Sequence, residues 1–181
     1  METIKFDKLL MKTAFCCMVS DGDIDNKEIT LIKSMCNDSP LFKDIDVQEE
    51  INRLVDKINE KGTEFISEYF NLLKKSFLTE KEELTLVDFA IKIIKADDII
   101  EYSEIKFFKN IRHRLNVSDE SIYEAFPDFE EKFLEEDIIT DSYLDDITKE
   151  YLDVADLPHF DSIIIRTALS NELKKINNLI K

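Results

Sequence analysis

Apolar residues at Phe6, Leu9, Leu10, Ala14, Cys17 and Met18 return every three to four positions, the period of a helix over about residues 4–19. An acidic stretch, SDGDIDNKE at residues 20–28, interrupts the pattern, and Ile29, Ile32, Met35 and Cys36 resume it as a second helix. The stretch CNDSP then breaks it. Asp46-Val47-Gln48-Glu49 has the form of a capping box and opens a third helix. Ile51, Leu54, Val55 and Ile58 carry that helix, and Gly62, a natural left-handed C-terminal position, ends it. Phe65, Tyr69, Leu72, Leu73 and Phe77 mark a fourth over about 63–77. A second box, Thr79-Glu80-Lys81-Glu82, starts a fifth that is apolar nearly all round: Leu84, Leu86, Val87, Phe89, Ala90, Ile91, Ile93 and Ile94. A helix of that kind belongs at the centre of a bundle. A sixth follows KADDIIEYSE and reaches about Leu115, and Ser118 can cap a short seventh. Weaker helical patterns cover about 128–136, 141–153 and 160–180, with Pro158 as a break.

The pattern also repeats. Asp21 and Asp97 lie 97 − 21 = 76 residues apart, as do Glu28 and Glu104 (104 − 28 = 76). In that register, without a gap, Leu10 falls on Leu86, Ala14 on Ala90, Ile24 on Ile100, Asp25 on Glu101, Ile29 on Ile105 and Lys33 on Lys109. Apolar positions match apolar ones on both sides of the turn, the mark of a duplicated helix–acidic turn–helix unit. The predicted fold is all-α, a bundle of about seven or more helices with an internal pseudo-twofold repeat. Two Gly and three Pro in 181 residues agree with it, because sheets of that size draw on Gly for their tight turns.

Charge narrows the partners. Forty acidic residues against 24 Lys and Arg give a net charge of −16, which repels phosphate backbones and anionic lipid. Nucleic acid is therefore disfavoured, while cations and basic protein surfaces are favoured. No run of about 18 apolar residues is present to insert into a bilayer. Lys5, Asp7, Lys8 and Lys12 interrupt the apolar N-terminal stretch, and no small-residue cleavage site follows it, so no secretory leader is expected. Three cysteines, an odd count with two adjacent, suit reduced thiols and a cytoplasmic location. Cys16 and Cys17 cannot face one direction on a helix, so one is expected in the core and the other partly exposed.

The two units, an apolar helix ending in SDGDIDNKE and another ending in ADDIIEYSE, resemble the TerB-like family of tellurite-resistance proteins. That family's mark is an apolar helix, an Ala-Asp-Gly turn, an aliphatic residue, and a Glu opening the next helix. Asp21-Gly22, Ile24 and Glu28 fit the first copy; Ala96-Asp97, Ile100 and Glu104 fit the second. IRHRLNVSDESI resembles the stretch that often follows the second copy. Ser20 departs from the usual Ala of the first turn, and Asp98 from the Gly of the second. The resemblance covers about residues 5–135. It implies a compact all-helical domain, taken as residues 1–136, whose clustered acids can bind divalent cations. It further implies a place in tellurite and other stress responses, with a related domain in some DnaJ-type co-chaperones, and no enzymatic activity. Residues 137–181 have no counterpart and are expected as a helical extension that packs on the bundle or on a partner.

The acidic turns themselves hold the candidate chemistry. Asp21, Asp23 and Asp25 could serve as positions 1, 3 and 5 of a calcium loop, but Asn26 stands where a Gly is needed and Ile32 where a bidentate carboxylate is needed. A full EF-hand is excluded. Asp25-Asn26-Lys27-Glu28 is a helix cap with Glu three residues on, so Asp25 and Glu28 need no metal to explain them. Glu101 is a poorer cap, and Glu104 still benefits from the helix start. Asp21 and Asp97 each follow the C-terminus of an apolar helix, where the helix dipole disfavours negative charge. A cation with oxygen ligands, Ca²⁺, Mg²⁺ or Mn²⁺, would offset that repulsion, with candidate ligands Asp21, Asp23, Asp25, Glu28, Asp97, Asp98, Glu101 and Glu104. A solvated acidic surface is the competing explanation.

Other chemistry is sparse. His113 and His159 stand apart, outside any Cys/His metal spacing, and the chain has no Gly-rich phosphate loop and no Gly-x-Ser-x-Gly elbow. Lys12 could lower a thiol pKa only by turning inward. Tyr123, Phe126, Phe129 and Phe133 are expected to cover the open end of the bundle, the alternative being that they dock a partner. Ile163, Ile164, Ile165, Leu169, Leu173, Ile176 and Leu179 form an amphipathic stripe that can pack on the chain's own bundle or pair with a second copy as a homodimer. The function expected from all this is a non-enzymatic, stress-response interaction module with protein partners and a divalent cation at the acidic turns. The alternatives are a metal-assisted hydrolase using the same acids, which has no identifiable base or nucleophile, and a co-chaperone adaptor.

Overall fold

A computed structural model describes residues 4–24, 26–96, 100–134, 143–155 and 157–161. Among them every regular element is helical: α1 (Phe6–Met18), α2 (Asn26–Asp38), α3 (Val47–Lys61), α4 (Thr63–Lys75), α5 (Glu80–Ile94), α6 (Tyr102–Arg112), α7 (Asp119–Ala125) and α8 (Tyr143–Val154). Two short 3-10 turns, Pro40–Phe42 and Glu131–Phe133, lie between helices.

Local chemistry sets the boundaries. Thr79 and Glu82 form the full capping box at the start of α5, with the Thr79 hydroxyl accepting from Glu82 N and the Glu82 carboxylate accepting from Thr79 N at 2.9 Å. Asp46 accepts from Glu49 N at 3.0 Å and Ser118 from Ser121 N at 3.1 Å, each cap contributing about 1 kcal/mol. Gly62 joins α3 to α4 with φ +56°, and its N–H closes the last turn of α3 on Ile58 O at 2.7 Å. A side chain there would be strained by the backbone alone.

α1 and α5 pack along each other at the centre of the bundle. α2 lies on α5 and α6 on α1, while α3 and α4 close the remaining side of α1 and α8 covers α6. From Leu9 to Ser20, through α1 and into the turn after it, every residue except Lys12 is buried. Cys16 and Cys17 are therefore both fully buried, at 0% and 1% exposure, and the expectation of one partly exposed thiol is corrected. A helix enclosed on all sides has no outward direction for the second cysteine.

Aromatic residues fill the space around α6. Phe107 stacks on Tyr69 and touches Phe70 and Tyr151, with centroid distances of 6.1, 5.2 and 5.3 Å. Its neighbour Phe108 points to the other side, against Phe129 and Phe133. Tyr123 packs edge-on to Phe129, so the stretch after α7 does close one end of the bundle, although Tyr123 keeps 38% of its surface exposed. The helix expected over 128–136 is only the turn Glu131–Phe133 among the described residues. Pro127 keeps Phe126 out of the helical conformation and ends α7 there. Residues 160 and 161 are not helical, and the rest of the pattern expected over 160–180 lies outside the described residues.

Candidate functional site

The first acidic turn leaves α1 through a tight reversal. Ser20 is buried, and its hydroxyl donates to Cys17 O at 2.8 Å. Gly22, at φ +90°, donates its N–H to Val19 O at 3.2 Å, a conformation that suits glycine. The freed carbonyl of Ser20 accepts from the hydroxyl of Tyr151 on α8 at 3.0 Å. Asp21 and Asp23 are exposed, and each carboxylate bonds backbone in the turn: Asp21 Oδ1 accepts from Asp23 N at 2.9 Å and Asp23 Oδ1 from Ile24 N at 2.8 Å. The first of these is an Asx turn, the usual work of Asp after a helix end.

The second turn begins alike, with Ala96 N donating to Ile93 O at 3.0 Å. Glu101 is exposed, and its N–H donates to Glu104 Oε2 at 2.7 Å, completing a capping box for α6. The Glu104 carboxylate thus satisfies an N–H at the start of α6. Asp25, Asp97 and Asp98 lie outside the described residues.

Glu28 and Glu104, the acids that open α2 and α6, are buried at 7% and 4% exposure. Their negative charges both reach the Cys17 thiol, whose pKa is pushed well up, first by burial, then by Cys16, and then by Glu104 and Glu28. The two glutamates thus face the C-terminal end of α1 from two different helices. Lys109 on α6, at the position matching Lys33, is also buried at 6% exposure. Sequence pattern had marked Glu28 and Glu104 as helix openers without revealing their burial.

Among the described residues, no three His, Cys, Asp or Glu side chains are grouped so as to hold a metal ion. The described acids therefore divide in two. Asp21, Asp23 and Glu101 face solvent on the turns, and Glu28 and Glu104 lie inside. A shallow concavity on α2 is lined by Asn26, Lys27, Thr30, Leu31 and Ser34. None of the five acids lines it.

The thiols are inert by environment. Burial pushes Cys16 up to about 12 from its ordinary 9.0, and Lys12 opposes that shift without overcoming it. Lys12 does turn inward, but its ammonium sits over the Phe65 ring. His113 ends α6 as its C-cap residue, and His159 is exposed.

Sequence reasoning missed Glu83. This acid in the first turn of α5 is 2% exposed, and its carboxylate accepts from Asn116 N at 2.8 Å, Asn116 Nδ2 at 3.1 Å and Val117 N at 2.5 Å. Its neighbours Glu80 and Glu82 have the same charge and the same place in the helix, so no local signal distinguishes it.

No helix among the described residues is long and apolar enough to cross a membrane. No family model, curated protein or solved structure matches the chain.

Proposed function

We propose that the chain is a TerB-like, non-enzymatic interaction module of a stress response, built on a duplicated helix–acidic turn–helix unit and engaging a divalent cation and protein partners through its acidic turns. The observation that carries this reading is the disposition of the acids. Asp21, Asp23 and Glu101 stand on an exposed surface, while Glu28 and Glu104 are buried at matching positions. A hydrolytic centre needs its carboxylates gathered around a substrate cleft, whereas an exposed acidic face suits a cation-bridged contact with another protein.

Packing supports the duplication. Exchanging α1 with α5 and α2 with α6 turns the contact of α2 on α5 into that of α6 on α1, and both contacts exist. The helix starts correspond as well, since Asn26 and Tyr102 are 102 − 26 = 76 residues apart.

Calorimetric titration of the full chain with Ca²⁺, Mg²⁺ and Mn²⁺ tests the reading. Saturable binding is expected, and Asp21→Asn combined with Asp97→Asn should weaken it. An absence of heat at millimolar metal would remove the cation. Capture of the same cytoplasmic partners with and without chelator would then decide whether the acidic face acts alone.

A further inference from the structure

α6 is a basic helix in an acidic protein. Residues 102–114 carry Lys106, Lys109, Arg112 and Arg114 against Glu104, a net 4 − 1 = +3 in a chain of −16. α8, which lies on it, carries Asp145, Asp146, Glu150 and Asp153 against Lys149, a net 1 − 4 = −3. The two helices meet through a ladder of side chains. Lys106, Asn110 and Arg114 stand four residues apart on one face, and each bonds α8. Lys106 Nζ bonds Glu150 Oε1 at 2.5 Å, Asn110 Nδ2 donates to Ile147 O at 3.2 Å, and Arg114 Nη2 donates to Thr148 Oγ1 at 2.9 Å.

This seat is light for a helix of twelve residues. Of residues 145–154 only Ile147 and Tyr151 are buried, whereas α5 buries seven side chains. Tyr151 is the deep anchor: its ring lies 5.3 Å from that of Phe107 and 6.3 Å from that of Phe70, and its hydroxyl donates to Ser20 O at 3.0 Å. Few buried apolar groups and many polar bonds at the surface mark an element that opens before the core does. Arg114 is also poorly matched by α8. Its guanidinium lies 4.4 Å over the Phe70 ring and bonds only neutral oxygens, those of Asn110 and Thr148. Its Nε is buried without a partner, and no carboxylate pairs with it among the described residues.

We propose that the face of α6 under α8 is a docking groove for an acidic amphipathic helix of a protein partner, and that α8 is its built-in occupant, which such a helix displaces. α8 shows what fits. Ile147 and Tyr151 are apolar anchors four residues apart, and Glu150 meets Lys106. A helix that puts a carboxylate where α8 has Thr148 also gives Arg114 its missing counter-ion and so outbids α8. A phosphate backbone would match the charge of α6 but would leave the Tyr151 socket empty and face the net −16 of the chain. The groove needs no cation at the acidic turns, so it stands whether or not one binds there.

Fluorescence anisotropy with a labelled peptide of residues 143–155 tests this on the full chain. Tyr151→Ala in the chain removes the anchor of its own α8, and circular dichroism checks that the variant folds. The peptide should bind that variant saturably and the unmodified chain about tenfold or more weakly, because the attached α8 competes at high effective concentration. A peptide carrying Thr148→Glu should bind about tenfold tighter, the gain from exchanging a neutral contact to Arg114 for a charge-assisted one. If Tyr151→Ala does not fold, Glu150→Lys loosens α8 instead, at a side chain 56% exposed, and should give the same order of affinities. No binding to the loosened chain would overturn the proposal, as would equal binding to loosened and unmodified chains. Equal binding of a shuffled peptide of the same composition, or no gain from Thr148→Glu, would overturn it as well. Binding of a single-stranded oligonucleotide without binding of the peptide would also overturn it and assign the groove to nucleic acid.

Discussion

Cys16 illustrates how burial becomes a pH dependence. Its thiol ionises near 9.0 in an unfolded chain and at about 12 inside α1, because the enclosed site penalises the thiolate. A raised folded-state pKa gives stability that is complete below pH 9 and lost as pH rises toward 12. The loss is at most about 1.4 kcal/mol per pH unit for one thiol. Urea unfolding at about pH 8 and about pH 10.5 should differ by roughly 2 kcal/mol through Cys16 alone. Cys16→Ala should show a shallower decline, and an unchanged decline would place the titrating group elsewhere. Cys17 works in the same direction, with Cys16, Glu104 and Glu28 adding to its burial. The burial of α1 was only half legible in the sequence, because Thr13 and Ser20 look like solvent positions. Their hydroxyls donate to Leu9 O and Cys17 O, which lets both residues stay inside.

At the scale of elements, helix starts were the most legible feature. The caps at Asp46, Thr79 and Ser118 use residues that satisfy backbone N–H groups three positions on, a wholly local interaction. Glu83 was illegible for the opposite reason, since its partners lie 33 and 34 residues away. There it acts as a remote cap, holding the segment that leads into α7 against the start of α5. Glu83→Ala takes the acceptor from Asn116 N and from the buried Val117 N, and should lower stability by about 2–4 kcal/mol in denaturant unfolding. Hydrogen exchange separates this mechanism from general loosening. The Val117 amide should lose its protection in Glu83→Ala while the amides of α3 keep theirs, and uniform loss would contradict the capping role. The acidic turns fall between these cases. The backbone bonds of Asp21 and Asp23 are local and readable as turn chemistry, whereas the burial of Glu28 and Glu104 depends on which helices pack around α1.

Charge over the whole molecule is unevenly divided, and this bears on the C-terminal stripe. Residues 162–181 contain Arg166, Lys174, Lys175 and Lys181 against Glu172, a net 4 − 1 = +3, so residues 1–161 carry −16 − 3 = −19. A basic amphipathic segment joined to a strongly acidic body meets that body at high effective concentration, whereas two whole chains of −16 repel. The chain enters the segment already fastened. Phe160 is buried at 6% exposure, its N–H donates to Asn59 Oδ1 at 2.8 Å, and its carbonyl accepts from Asn59 Nδ2 at 2.8 Å. Both arguments favour packing on the chain's own bundle over pairing with a second copy. Deleting residues 158–181 should therefore lower stability, with the loss of the Phe160 side chain alone costing about 2–4 kcal/mol. The mass by light scattering should stay that of a monomer before and after. Raising the salt should narrow the stability gap between full-length and shortened chains, because screening weakens the attraction between +3 and −19. A mass that halves on deletion, with melting unchanged, would instead make the stripe a dimer interface.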